Sequence, residues 1–276
     1  MDIREILRHV DHTLLKPEAT WDQIKTLCDE AMEFDCASVC IPPCYVKQAA
    51  EYVQGNLKIC TVIGFPHGNS TAAAKMLETK DAVENGASEI DMVVNVGFVK
   101  DRRWKEIGDE IAGVKAACLG RTLKVILETC LLTDMEKVRL CQICTKAGAD
   151  YVKTSTGFST GGATREDVKL LRESCPPEVK VKVSGGIRTL EDAEDYLALG
   201  ADRLGASALI GEARKRGRVV PAYEDGPRSE LPLWGSCHGA AVTERVHGCD
   251  RSLLAPCTER LPRQSGPMRA PAFSRS

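Results

Sequence analysis

No stretch of this 276-residue sequence approaches the ~18 consecutive apolar residues that span a bilayer, so no helical membrane anchor is expected. The first residues, Met1-Asp-Ile-Arg-Glu-Ile-Leu-Arg8, carry acids and no apolar run, which argues against a secretory or transit peptide. An excess of one charge is lacking too. Lys+Arg total 37 against 39 Asp+Glu, a net charge of -2, so no overall field draws the chain to nucleic acid or anionic lipid. Any anion site has to be local, and the expectation is a soluble cytoplasmic protein with neither nucleic-acid nor membrane partners. Lysine itself is missing from residues 217–276, which hold seven of the thirteen prolines and eight arginines. Val219, Leu231, Leu233, Leu253 and Leu254 trace no periodic apolar face there. The sequence therefore predicts a domain over 1–217 and a disordered, irregular C-terminal extension over 218–276, frame-shifted or fused rather than part of the fold.

Thirteen cysteines would mark a disulfide scaffold in a small secreted domain, but ten of them fall in core-like segments of a chain without an export signal. Cys36, Cys40 and Cys44 are spaced by four and Cys141-Gln-Ile-Cys144 is a C-x-x-C, yet these lie within a predicted strand and a predicted helix rather than on paired zinc knuckles. They read as small buried hydrophobes. No metal is expected.

What is present is alternation. Strand-like runs occur at Val10–Leu14, Ala37–Ile41, Lys58–Ile63, Glu89–Asn95, Leu123–Glu128, Asp150–Thr154, Val179–Val183 and Asp202–Gly205, separated by amphipathic helical segments. Thr20 with Gln23 and Thr133 with Glu136 read as capping boxes, and Thr164 and Thr189 as N-caps. Ile24, Leu27, Cys28 and Ala31 share one helical face, as do Trp104, Ile107, Ile111 and Val114. Eight β-then-α units favour an α/β fold closed as a (β/α)8 TIM barrel, preceded by an N-terminal helix, over an open doubly wound sheet.

In such a barrel chemistry sits at the C-terminal strand ends. Lys153 and Lys182 lie there, opposite in direction to Val152 and to Val181 and Val183. With the valines toward the helices, both ammonium groups point inward. Confined cations repel, and repulsion and burial together lower the pKa of a lysine from about 10.4 toward neutrality, the state in which an amine attacks carbonyls. Asp91, in an otherwise apolar strand with Val93 and Asn95, needs a partner: either a structural ion pair or a proton relay beside the lysines. Asp11 repeats the pattern on the first strand, as a structural group or a ligand for a substrate hydroxyl. His67 is read as a loop histidine. Gly185, Gly186 and Arg188 follow the seventh strand, and Gly205 and Ser207 the eighth, where barrels commonly cradle phosphate; Arg188 either adds a charge or caps the surface.

The strings Asp11-His-Thr-Leu-Leu-Lys16, Cys40-Ile-Pro-Pro43, Gly64-Phe-Pro-His-Gly68, Glu89-Ile-Asp-Met-Val-Val-Asn95, Tyr151-Val-Lys-Thr-Ser-Thr-Gly-Phe158, Lys182-Val-Ser-Gly-Gly-Ile-Arg188 and Gly205-Ala-Ser207 together resemble the bacterial type of deoxyribose-phosphate aldolase, from about residue 5 to 216. The resemblance implies a class I aldolase acting on a small phosphorylated sugar, 2-deoxy-D-ribose 5-phosphate, without a cofactor. It implies Lys153 as the Schiff-base residue, Lys182 as the group that tunes it, Asp91 in a proton relay, and Gly157, Gly185, Gly186, Arg188 and Ser207 around the phosphate. Ala208 stands where some members have a second serine, and the extension matches nothing in the family. Assembly is left open, a homodimer among the options. So are another Schiff-base sugar-phosphate lyase or transaldolase, and a sugar-phosphate-binding barrel without turnover.

Overall fold

The structure, a computed structural model, describes residues 1–216; the extension expected over 218–276 lies outside the described residues. After a short helix α1 (Ile3–Leu7), eight parallel strands alternate with helices: β1 (Val10–Thr13), α2 (Trp21–Glu33), β2 (Ser38–Ile41), α3 (Val46–Val53), β3 (Ile59–Ile63), α4 (Ala72–Glu84), β4 (Glu89–Val93), α5 (Val96–Lys100), α6 (Trp104–Ala117), β5 (Thr122–Ile126), α7 (Asp134–Lys146), β6 (Tyr151–Lys153), α8 (Arg165–Ser174), β7 (Lys180–Ser184), α9 (Leu190–Ala198), β8 (Arg203–Ala206) and α10 (Leu209–Lys215). The strands pair in chain order, and β8 pairs with β1 through Val10 and Leu204, closing the barrel. This is the (β/α)8 architecture that the alternation predicts. Among the described residues no helix is long and apolar enough to cross a membrane.

Helix starts follow the caps in the sequence. Thr133 and Glu136 form a reciprocal capping box, as do Thr189 and Asp192, and the Thr164 hydroxyl accepts from the Asp167 N–H. Two strands end earlier than the alternation suggests. Asn95 is not the end of β4 but the N-cap of α5, its side chain accepting from the Phe98 N–H. Glu128 lies beyond β5 in a left-handed conformation (φ 59°), opening a 3-10 turn at Thr129–Leu131.

The main apolar core lies between sheet and helices. Val152, Val181 and Val183 are buried there, with Ile24, Leu27, Cys28 and Ala31 of α2 and Ile107, Ile111 and Val114 of α6. Inside the barrel a small separate apolar cluster forms, Cys40, Cys60 and Val62 with Leu15 and Phe65 against it. Eight of the ten described cysteines are buried, whereas Cys44 and Cys130 are exposed, so the expectation of ten core thiols is corrected at those two.

A buried ion pair ties the helical coat to the sheet. Lys75 of α4 meets Glu110 of α6 at 2.9 Å and also donates to the Val93 carbonyl at 2.8 Å. Gly64 makes room for it: a Cβ there would stand 2.7 Å from Lys75 Cε. Burial lowers the pKa of Lys75 and raises that of Glu110, each against its charged form, while the partner opposes the shift. Removing one partner would strand the other charge, so Lys75→Met is expected to destabilise the barrel by about 3–5 kcal/mol. Urea unfolding should show the double change Lys75→Met with Glu110→Leu recovering most of that loss. A double variant no more stable than the single one would contradict the account.

Candidate active site

Parallel register places the charged side chains of neighbouring strands side by side inside the barrel. Asp91 pairs in register with Lys124, Lys153 with Lys182, and Lys182 with Arg203. The result is an ionic interior of three carboxylates, Asp11, Glu89 and Asp91, and four cations, Lys124, Lys153, Lys182 and Arg203. Asp91 is its centre. Its Oδ2 accepts from Lys153 at 2.8 Å and from Lys182 at 2.7 Å, and its Oδ1 accepts from Lys124 at 2.9 Å and from the Cys60 thiol at 3.1 Å. Beneath it, Asp11 forms ion pairs with Lys182 at 2.5 Å and Arg203 at 2.6 Å and accepts from the Ser38 hydroxyl at 2.7 Å. Glu89 joins Lys124 at 2.5 Å to Arg203 at 3.2 Å.

These contacts decide the charge states. Burial favours neutral carboxyls, but Lys124, Lys153 and Lys182 outweigh it at Asp91 and hold its pKa well below the usual range; Lys182, Lys124 and Arg203 do the same at Asp11. Burial likewise favours a neutral Lys182, yet Asp11 and Asp91 raise its pKa above that of a free lysine. Burial and repulsion therefore do not prevail at Lys182. The carboxylates between them bind Lys182 as an ammonium ion. Lys124 is held charged in the same way, burial being outweighed by Asp91, Asp11 and Glu89.

Of the four interior cations, Lys153 lines the cavity at the C-terminal strand ends. This space, about 280 Å³, is also lined by Gly157, Gly185, Gly186, Gly205 and Ser207, together with Lys16, Leu14, Leu15, Phe158 and Ile187. A cleft of about 380 Å³ beside His12 and Glu30 adjoins it, sharing Thr13, Leu14 and Ser207 as lining, whereas one of about 620 Å³ between α7 and α8 shares no residue with it. Gly205 is required beneath the site: a Cβ there would stand 2.9 Å from Ser184 Cβ and 3.3 Å from Lys182 Cε. Gly186 has a positive φ of 87°, and a Cβ there would meet no protein atom within 4 Å. Glu128 braces the opposite wall. Its carboxylate accepts from the Thr156 N–H at 3.2 Å and from the Thr156 hydroxyl, which in turn accepts from the Phe158 N–H at 3.0 Å. The Phe158 ring meets Phe65 edge-on, centroids 5.3 Å apart.

The structure thus brings Lys153, Lys182 and Asp91 into one hydrogen-bonded group and sets Gly157, Gly185, Gly186, Gly205 and Ser207 around the adjoining cavity. Two expected residues do not line it. Asp11 is fully buried beneath Lys182, away from the cavity. Arg188 is exposed, does not line the cavity and turns its backbone N–H toward Asp192 at 3.4 Å. Lys124, Glu89 and Arg203 escaped the sequence reading, although Lys124 alternates with Val125 as Lys153 does with Val152. Cys60 is not the inert hydrophobe expected, since its thiol donates to Asp91.

Asp11 and Asp91 have folded-state pKa values below the roughly 3.9 of an unfolded aspartate, so the stability they supply is present above that value and is lost progressively as pH falls from it toward the folded-state values. The urea midpoint is expected to drop as pH is lowered from about 5 to 3, with a shallower slope in Asp11→Asn because fewer protons are taken up on unfolding. Identical slopes in the two proteins would show that Asp11 does not carry this dependence.

A family model described as DeoC/LacD family aldolase matches residues 6–214. The chain is 53% identical over 207 residues to the deoxyribose-phosphate aldolase of Clostridioides difficile (strain 630), covering 75% of this chain and 94% of that protein. It is 55% identical over 210 residues to that of Streptococcus agalactiae serotype Ia, covering 76% and 94%. Among solved structures, the tetrameric deoxyribose phosphate aldolase of Aeropyrum pernix superposes with a TM-score of 0.73 at 32% identity, over 79% of this chain and 94% of that one. An aldolase designated QR15 gives 0.74 at 36% identity, over 77% and 96%. With three quarters of its length matched by the family model, and an eight-stranded barrel carrying inward lysines at its C-terminal end, the chain belongs to the DeoC/LacD family of aldolases.

Proposed function

We propose that this aldolase reversibly cleaves 2-deoxy-D-ribose 5-phosphate to acetaldehyde and D-glyceraldehyde 3-phosphate through a Schiff base on Lys153. The observation that carries the reading is the shared oxygen of Asp91. Lys153, facing the cavity, and Lys182, buried and kept charged, both bind Oδ2, at 2.8 and 2.7 Å. The residue that faces the cavity and the buried ammonium ion thus meet on one carboxylate oxygen, which couples any reaction at Lys153 to Asp91 and Lys182.

The Lys153 amine adds to the C1 aldehyde of the open-chain sugar, and the carbinolamine loses water to give an iminium ion. That ion is an electron sink. The C3 hydroxyl gives up its proton, the C2–C3 bond breaks to release glyceraldehyde 3-phosphate, and the electron pair becomes an enamine on C2. Protonation at C2 and addition of water release acetaldehyde and restore the amine. Asp91, deprotonated and 2.8 Å from Lys153, is placed to exchange the protons of the amine and carbinolamine directly and that of the enamine carbon through water. While Lys153 is neutral, one of the cations holding Asp91 deprotonated is gone, which makes the carboxylate a better base at the step that needs one. Lys182 and Asp11 act as its fixed electrostatic setting.

At the other end of the cavity Gly157, Gly185, Gly186 and Gly205 expose backbone and Ser207 a hydroxyl. This is the composition of a phosphate cradle, where N–H groups approach the anion unobstructed. The likeness to relatives named deoxyribose-phosphate aldolase supports the same substrate class.

Incubation with acetaldehyde and borohydride is expected to leave a two-carbon adduct on Lys153 by peptide mass spectrometry, and Lys153→Met is expected to bring cleavage of deoxyribose 5-phosphate to background. Labelling of Lys182 would reverse the assigned roles. Gly186→Asp, which sets a carboxylate against the phosphate, should remove most of the preference for the phosphorylated over the free sugar; an unchanged preference would move the cradle elsewhere.

A further inference from the structure

The cradle lacks the cation that the sequence assigns to it. Arg188 lies outside the cavity, and the strand-end loops around Gly157, Gly185, Gly186 and Ser207 bring backbone, a hydroxyl and the apolar side chains of Phe158 and Ile187, but no charge. Among the cavity-lining residues the cations are Lys153 and Lys16. Lys153 is committed to the carbonyl carbon. A phosphate dianion held by backbone N–H groups alone keeps its charge uncompensated on the protein side, and a charge-assisted partner is the usual remedy.

Lys16 comes from the loop that follows β1. The strand before it is anchored by the Leu14 N–H donating to the Cys40 carbonyl at 3.0 Å, and the loop turns where the Ala19 N–H donates to the Lys16 carbonyl at 3.0 Å. Pro17 restricts Lys16 to extended backbone, which limits the freedom of the loop. Because β1 is the neighbour of β8, with His12 in register with Ala206, this loop stands beside the one that carries Ser207. The ammonium group is exposed and makes no ion pair or hydrogen bond with any of the described residues. Lys16 thus brings a positive charge, unpaired among the described residues, to the cavity that Gly157, Gly185, Gly186 and Ser207 line.

We propose that Lys16 is the side-chain cation for the substrate phosphate and sets the preference for phosphorylated over unphosphorylated sugars. This rests on the aldolase reading above. The charge comes from the first loop of the barrel and closes the cradle from the side opposite the Gly185-Gly186 turn in chain order. Its contribution is to binding of the remote group, so it appears in KM before kcat.

The test uses the full chain with Lys16→Met, Lys16→Arg and Arg188→Met. For Lys16→Met, kcat/KM on deoxyribose 5-phosphate is expected to fall roughly tenfold, mainly through KM, while that on free deoxyribose stays within about twofold. Rate loss with added salt should be weaker than in the parent protein, since one screened ion pair is gone. Lys16→Arg should restore most of the efficiency, and Arg188→Met should match the parent. Binding of inorganic phosphate by calorimetry should weaken in Lys16→Met by a similar factor. A Lys16→Met protein that keeps the parent's efficiency on the phosphorylated sugar and its phosphate affinity would overturn the proposal, as would the expected pattern appearing in Arg188→Met instead. If the parent cleaves neither sugar, the aldolase reading fails, and phosphate calorimetry on parent and Lys16→Met still decides the role of Lys16.

Discussion

One carboxylate organises the interior of this barrel. Asp91 receives Lys153, Lys182 and Lys124 within 2.9 Å, drawing strands β4, β5, β6 and β7 onto a single charge. Isolated in an apolar interior, any one of these ions would be strongly unfavourable. Together they replace the packed aliphatic layers that usually fill a barrel of this kind with a network in which Asp11, Glu89 and Arg203 balance the remaining charge. The arrangement is rigid because every member is committed to more than one partner. At the upper boundary this ceases to hold, since Lys153 has Asp91 on one side and the cavity on the other.

Stability and reactivity therefore draw on the same charges. Lys182 is held by Asp11 and Asp91 as an ammonium ion, so it is a constant in the site rather than a second nucleophile. Gly205 belongs to this foundation as much as to any ligand contact, because a side chain there would collide with Lys182 and Ser184. Outside the sheet the Lys75–Glu110 pair repeats the device once, fixing α4 and α6 against the end of β4. Both networks show that the polar groups of this fold are placed by neighbouring elements rather than by their own.

The barrel was legible because its strands alternate with capped helices and their inward and outward residues differ in kind. Val152 and Val181 against Lys153 and Lys182 are enough to assign the two faces. What escaped was pairwise. Nothing in Asp11-His-Thr reveals that Arg203, at the other end of the barrel sequence, takes its carboxylate, because closure of β8 on β1 sets that contact. Lys124 carried the same alternation as the recognised lysines but lay mid-strand, without the glycines that mark a strand-end loop. Arg188 misled for the opposite reason: a cation next to two glycines reads as a phosphate ligand, yet the turn sends it to the surface.

The central claim is that Lys182 and Lys124 remain ammonium ions under the conditions in which Lys153 reacts. Nitrogen-15 NMR of the lysine Nζ atoms, assigned by single substitutions, measures this directly across a pH titration. The account predicts that both resonances keep ammonium shifts beyond about 10.4, the ordinary lysine value, since Asp91 and Asp11 raise both groups. A Lys182 or Lys124 resonance that moves to the free-amine position near neutral pH would contradict it, and with it the assignment of Lys153 as the single nucleophile.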